Sequence, residues 1–284
     1  MKHYNLGIIG YGWAATAHIA AINATTQGRV TAVYSSRPLD SAELSVKHGG
    51  TIKAYQSLDA MLADPDLHVV DITSYPSQHR DQAVAAANAK KHVILEKPMA
   101  NTPEEVREIL AAAEANGVKG CICFECRYSN QFQVTKALID EGLLGSLHYG
   151  EVDYYHGIGP WYGQYRWNIG KKEGGSALLT AGCLQPYYFH THLVGSEGSL
   201  LDDKFHSAKL KADKAHWSKV SMKMLDSGDV SDHPYQAQFQ AFFDALDAGR
   251  DMPLTSFKDA AKTFAVIFAA DKSAAQGGQP VRPG

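Results

Sequence analysis

Apolar residues fall along the first half of the chain in two alternating rhythms. Short β-rich runs occupy residues 6–9, 30–34, 69–73, 92–95 and 119–124. Segments of helical periodicity lie between them, at 14–24, 41–48, 58–62, 78–89 and 103–116. Strand-length runs separated by helix-length segments predict right-handed βαβ units and an α/β fold with a doubly wound parallel sheet. The helix ending at Asn116 has a clear start, with Thr102 as N-cap, Pro103 at its first position and Glu105 closing a capping box, and Gly117 stops it. Past Phe124 the texture changes. A helix over 132–141 leads through Gly142–Gly145 into a polar-aromatic strand over 147–156, and further strand-like runs lie at 187–194 and 199–201. Two helices close the chain, with apolar stripes Tyr235, Phe239, Phe242, Phe243, Leu246 and then Phe257, Ala261, Phe264, Phe268. That spacing reads as core packing. The change of pattern divides the chain into an N-terminal domain, 1–125, and a C-terminal domain, 126–284.

Length and composition agree with two domains: 284 residues, 45% hydrophobic and 20% charged, with a net charge of −3. Such a chain has no global attraction to nucleic acid or acidic membranes. No apolar run approaches the roughly 20 residues that span a bilayer. The run Leu6-Gly7-Ile8-Ile9 is too short for the core of a signal peptide, so a cytoplasmic location with reduced cysteines is expected. Cys121, Cys123 and Cys126 cluster, but no CxxC pair or second cluster accompanies them. Free thiols, and no metal, are the expectation.

Directly after the first strand stands Gly10-Tyr11-Gly12-Trp13-Ala14-Ala15. In this G-x-G-x-x-A turn the first glycine makes the tight bend and the second lets the backbone approach a pyrophosphate. The third small residue lets helix and strand pack, with the helix N-terminus toward the anion. The second strand ends in Tyr34-Ser35-Ser36-Arg37, where an NAD site usually has an acidic residue for the ribose 2′-hydroxyl. Ser36 and Arg37 suit a 2′-phosphate, so NADP(H) is favoured over NAD(H); the other reading is that Arg37 simply points to solvent.

His92-Val93-Ile94-Leu95 runs into Glu96-Lys97-Pro98, and Tyr75-Pro76-Ser77-Gln78-His79 follows the strand at 69–73. With the glycine turn, these motifs resemble the Gfo/Idh/MocA family, which includes glucose–fructose oxidoreductase and inositol dehydrogenase. The resemblance continues through Arg127-Tyr128, Glu141–Gly145, Gly174–Leu179 and the tail from Pro186. It implies an N-terminal Rossmann domain, a C-terminal α+β domain with an open sheet, and hydride transfer between a nicotinamide held between the domains and a sugar-like or polyol carbon. It places Gly10, Tyr11, Gly12, Trp13, Ala15, Ser36, Arg37, Thr73, Pro76, His79, Glu96 and Lys97 at the cofactor. Lys97 is also the implied catalytic residue, a cation that binds the substrate hydroxyl and eases loss of its proton. Pairing of copies through the C-terminal sheet is implied as well.

The pattern breaks after Gly174–Leu179. Where the family carries its general acid/base histidine stands Leu184, with Tyr187 in place of the following acid. Leucine takes no proton. The segment from Pro186 resembles one that family members reach only after several further strands, so Gly182–Cys183 reads as the junction of an internal deletion and the sheet as truncated. A non-catalytic dinucleotide-binding remnant is therefore the alternative to an active enzyme. His190 and His192 alternate on a strand and share a face, a spacing open to metal binding, proton transfer or plain hydrogen bonding. Trp161, Tyr162, Tyr165 and Trp167 form either a sugar-stacking rim or ordinary packing beneath a glycine-rich loop.

Overall fold

Strands mostly rich in Val, Ile and Leu, and largely buried on both faces away from the sheet's edges, build the first sheet. In chain order they are β1 (Tyr4–Ile9), β2 (Gly28–Tyr34), β3 (Lys53–Tyr55), β4 (Val69–Ile72), β5 (His92–Leu95) and β6 (Gly120–Ile122). They alternate with α1 (Trp13–Asn23), α2 (Ser41–His48), α3 (Leu58–Leu62), α4 (Pro76–Asn88) and α5 (Pro103–Asn116). All pairings are parallel, in the order β3-β2-β1-β4-β5-β6, the doubly wound Rossmann arrangement. The computed structural model describes residues 2–155, 188–210, 215–226 and 232–284. The strand β3 has no counterpart in the sequence pattern, because three residues are too few to show a period. The start of α4 moves forward to Pro76, whose fixed φ and missing N–H suit a first helical position.

Beyond Phe124 come a 3₁₀ turn (Glu125–Tyr128), α6 (Asn130–Asp140), β7 (Leu147–Tyr155), β8 (Tyr188–Gly195), β9 (Gly198–Leu201), β10 (Lys204–Ser207) and β11 (Ser218–Lys219). The five strands form an antiparallel sheet in the order β11-β10-β9-β8-β7. Leu144, Leu193, Leu200 and Phe205 form its small core, with Leu138 of α6 packed against them. The last helices are α7 (Tyr235–Asp247) and α8 (Phe257–Ala275). Among the described residues no helix is long and apolar enough to cross a membrane.

The chain divides into two compact units, and the second is an insertion rather than a tail. Described residues 2–124 and 235–284 make the first unit, and those between 125 and 234 the second. The expected domain 126–284 is thus not one block, since its last fifty residues return to the parallel sheet. The aromatic stripes explain the return. Phe243 stacks on Tyr4 of β1 with ring centroids 5.5 Å apart, and Phe239 meets His18 of α1 at 5.0 Å. Phe257 and Phe264 enter the core beside Val106, Ile109 and Ile122. Phe239, fully buried, is expected to cost about 3–5 kcal/mol when changed to Ala. Denaturant unfolding reads this as a lower midpoint, and a loss below about 1 kcal/mol would show that α7 does not hold the first unit together.

Candidate active site

Register brings three strand ends into line. Ile9 pairs with Ile72, and Ile72 with Leu95. The next residues continue the ladder, with Thr73 N–H donating to Ile9 O and Glu96 N–H to Ile72 O, both at 2.9 Å. Gly10, Thr73 and Glu96 therefore stand side by side at the carboxyl ends of β1, β4 and β5. Strand order reverses between β1 and β4, and ligands of open α/β sheets bind outside such a switch point.

The glycine turn lies at that edge. Gly10 has φ +92°, and a Cβ there would sit 2.8 Å from Ser74 N and 2.9 Å from its Cα, so only glycine fits against the β4 loop. Thr73 Oγ1 donates to Gly10 O at 2.9 Å and fastens the two loops. Gly12 is the opposite case: a Cβ there would meet nothing within 4 Å. It caps α1 in extended conformation with no side-chain hydrogen bond, and no acidic residue lies in the first helical turn. The space beside Gly12 is thus open, with the positive end of α1 behind it, which fits a dinucleotide pyrophosphate. Ala15 is buried and lets α1 settle on the sheet, whereas Trp13 is half exposed. Arg37 reaches back over the turn, its guanidinium donating to Tyr11 O at 2.7 Å, and Tyr11 Oη lies 2.7 Å from His48 Nε2. Ser36 and Arg37 are both exposed beside the turn.

Beneath this edge lies a charged cluster that the sequence pattern did not single out. Asp71 occupies the middle of β4, in register with Ile8 and Ile94, and is fully buried. His18, fully buried on α1, places Nδ1 2.9 Å from Asp71 Oδ2 and Nε2 3.0 Å from Glu96 Oε1. An imidazole meets two carboxylates this way only with both nitrogens protonated. Burial opposes the charge on His18, but Asp71 and Glu96 outweigh it and push its pKa up to about 10. Burial likewise works against the Glu96 carboxylate, yet His18 and Lys97 hold it down to about 2. Asp71 is the weaker acid of the pair: burial raises it, His18 pulls it partly back, and its Oδ1 has no hydrogen-bond partner. A signal was present in the sequence, since a carboxylate within Val69-Val70-Asp71-Ile72 must find a partner once buried.

Glu96 uses its other oxygen, Oε2, to accept the Lys97 backbone N–H at 3.0 Å. Lys97 follows directly at the strand end and is exposed. His79, fully buried on α4, places Nδ1 2.7 Å from Pro98 O and Nε2 3.1 Å from Ser74 O. It clamps the loop after β5 to the loop after β4, and the buried Pro76 starts the helix that carries it. Glycine turn, Thr73, Pro76, His79, Glu96 and Lys97 are thus brought to one edge of one sheet. His190 and His192 sit on β8 in the second unit, where His190 Nδ1 pairs with Asp202 at 3.0 Å and His192 lies 3.9 Å from Glu151. Trp161, Tyr162, Tyr165, Trp167, Leu184, Tyr187 and the Gly182–Cys183 junction lie outside the described residues.

Comparison with known proteins agrees with this fold. Residues 4–124 match the model of an oxidoreductase family with an NAD-binding Rossmann fold. Levoglucosan dehydrogenase of Pseudarthrobacter phenanthrenivorans is 30% identical over 52% of this chain and 40% of its own length. The NADP(+)-dependent scyllo-inositol 2-dehydrogenase IolW of Bacillus subtilis is 29% identical over 52% of this chain and 41% of its own. The matched segments span less than half the length of these curated relatives. A solved levoglucosan dehydrogenase in complex with NADH and levoglucosan superposes with a TM-score of 0.82, covering 97% of this chain and 98% of that one. At 20% identity this likeness shows the shared fold.

Proposed function

We propose, from the match of residues 4–124 to the model of the Gfo/Idh/MocA oxidoreductase family, that the chain is an NAD(P)-dependent oxidoreductase of sugar-like or polyol hydroxyl and carbonyl groups. The observation that carries the reading is the convergence, on adjacent strand ends, of an open glycine turn with Glu96 and Lys97. The relatives named above as levoglucosan and inositol dehydrogenases support the substrate class.

In this reading Gly10, Tyr11, Gly12, Trp13 and Ala15 shape the pyrophosphate end of the site. Ser36 and Arg37 receive the adenosine ribose, and the guanidinium so close to the turn favours a 2′-phosphate and hence NADP(H). Thr73, Pro76, His79 and Glu96 fix the loops that border the cofactor. The bound nicotinamide supplies the acceptor or donor for hydride. Lys97 holds the substrate oxygen at Nζ, stabilises its alkoxide character and exchanges its proton. Glu96, anchored through His18, sets the backbone from which Lys97 projects.

Fluorescence titration with NADPH and then NADH tests the reading. Saturable binding, tighter for NADPH, is expected, and Arg37→Ala is expected to erase that preference. Gly12→Val is expected to abolish binding of both. Because a Cβ at residue 12 meets nothing, the cost to folding should be no more than that of a poorer N-cap residue, about 1 kcal/mol. Undiminished binding by a folded Gly12→Val variant would remove the glycine turn from the site. Binding without turnover across a panel of sugars and polyols would favour the non-catalytic alternative, which Leu184 in the family's histidine position also favours.

A further inference from the structure

Cys126 parts company with Cys121 and Cys123, which are buried thiols on and just beyond β6. It belongs to the 3₁₀ turn that opens the second unit, next to Glu125, and the chain brings His233 to it from the far end of the same unit, 107 residues away. His233 Nδ1 lies 2.8 Å from Glu125 Oε1 and 3.7 Å from Cys126 Sγ, and Sγ lies 4.0 Å from Glu125 Oε1. The side chains of His233 and Glu125 are 4% and 8% exposed. All three are potential metal-donor atoms, and a cation set among them would bind each in place of these contacts. Tetrahedral zinc, with bonds of about 2.0 Å to N and O and about 2.3 Å to S, sets its ligand atoms roughly 3.3–3.6 Å apart. The observed edges of 2.8, 3.7 and 4.0 Å depart from those by at most about 0.5 Å, so a bound ion would open the His233–Glu125 contact and draw Sγ inward.

We propose that Glu125, Cys126 and His233 form a binding site for zinc or a similar borderline divalent cation. Thiolate, imidazole and carboxylate are the donor set such ions select, and three protein ligands leave a fourth position for water. Binding releases the Cys126 thiol proton. The ion would close the second unit where its chain begins and ends, a clip on a long loop of the kind that restrains the unfolded state most. The cluster Glu151, His190 and His192 is the weaker candidate: it is more open to water, and His190 already pairs with Asp202.

Titration of the chelator-treated, full-length protein with Co²⁺ tests the assignment. One equivalent is expected to bind with a near-ultraviolet sulfur-to-cobalt charge-transfer band and the strong visible bands of tetrahedral cobalt, and Zn²⁺ should bleach both. Cys126→Ser should lose the ultraviolet band, His233→Ala should weaken binding at least tenfold, and His192→Ala should change neither. Zn²⁺ should raise Tm in the parent protein and leave it unmoved in Cys126→Ser. A parent protein that gives no thiolate band with Co²⁺ overturns the proposal, whether or not the variants fold. So does a band that survives in Cys126→Ser, or one lost only in His192→Ala.

Discussion

Changing Lys97 to Ala is expected to lower kcat/KM for polyol-dependent reduction of NADP⁺ by about 10²–10⁴-fold, the usual loss when a positioned proton-transfer group is removed. The expectation rests on place. Lys97 follows Glu96 at the end of β5, aligned with Gly10 and Thr73 on the neighbouring strand ends, and Glu96 Oε2 fixes its backbone N–H. In the proposed reading Lys97 also borders the cofactor, so dinucleotide affinity is expected to fall as well, though far less than turnover. Lys97→Arg separates the two effects. Arginine keeps the charge but does not give up its proton, so it should restore dinucleotide affinity without restoring kcat. Steady-state kinetics beside fluorescence titration reads both quantities. A rate indifferent to Lys97→Ala would mean that any observed reduction arises elsewhere.

How much of this was legible in the sequence depends on the range of the interaction involved. The parallel strands and the two closing helices show because burial imposes a period on neighbouring residues. The glycine turn shows because its pattern is complete within six residues, although what forbids a side chain at Gly10 is the distant Ser74. The reading of a continuous C-terminal domain failed at Tyr235, since a stripe such as Phe239, Phe242 and Phe243 says that a face is buried but not against what. The packing on Tyr4 and His18 is long-range information. The same holds for charge. Glu96 was visible as part of a motif, but its partner His18, and the Asp71 that shares that imidazole, lie 78 and 25 positions earlier, each a lone polar residue in an apolar run. Cys126 looked like one of three clustered cysteines until the fold supplied His233.

Removal of the His18 imidazole is expected to be the most damaging single change in the first unit outside its aromatic core. In His18→Leu, of similar bulk, Asp71 and Glu96 would face each other without the cation that separates them. Losing one partner of a buried ion pair costs about 3–5 kcal/mol, and each kcal/mol lowers Tm by roughly 2–4 °C at this size. The penalty belongs to the stranded carboxylates, so the double variant His18→Leu/Asp71→Leu should be more stable than His18→Leu alone. The pH dependence has a definite sign. His18 is raised from 6.5 to about 10, so its contribution is complete below about pH 6.5 and is lost as pH climbs through 10. Glu96, lowered from 4.5 to about 2, contributes above about pH 4.5 and loses that contribution as pH falls toward 2. The raised Asp71 acts in the opposite sense in acid, because the folded state then takes up a proton more readily, and it offsets part of the Glu96 loss. The alkaline limb is therefore the diagnostic one. Thermal unfolding from pH 7 to 10 should show the parent protein losing stability faster than His18→Leu, so that the two curves converge. Parallel curves, or a His18→Leu variant as stable as the parent at pH 7, would mean that the imidazole does not carry the charge that joins α1 to the ends of β4 and β5.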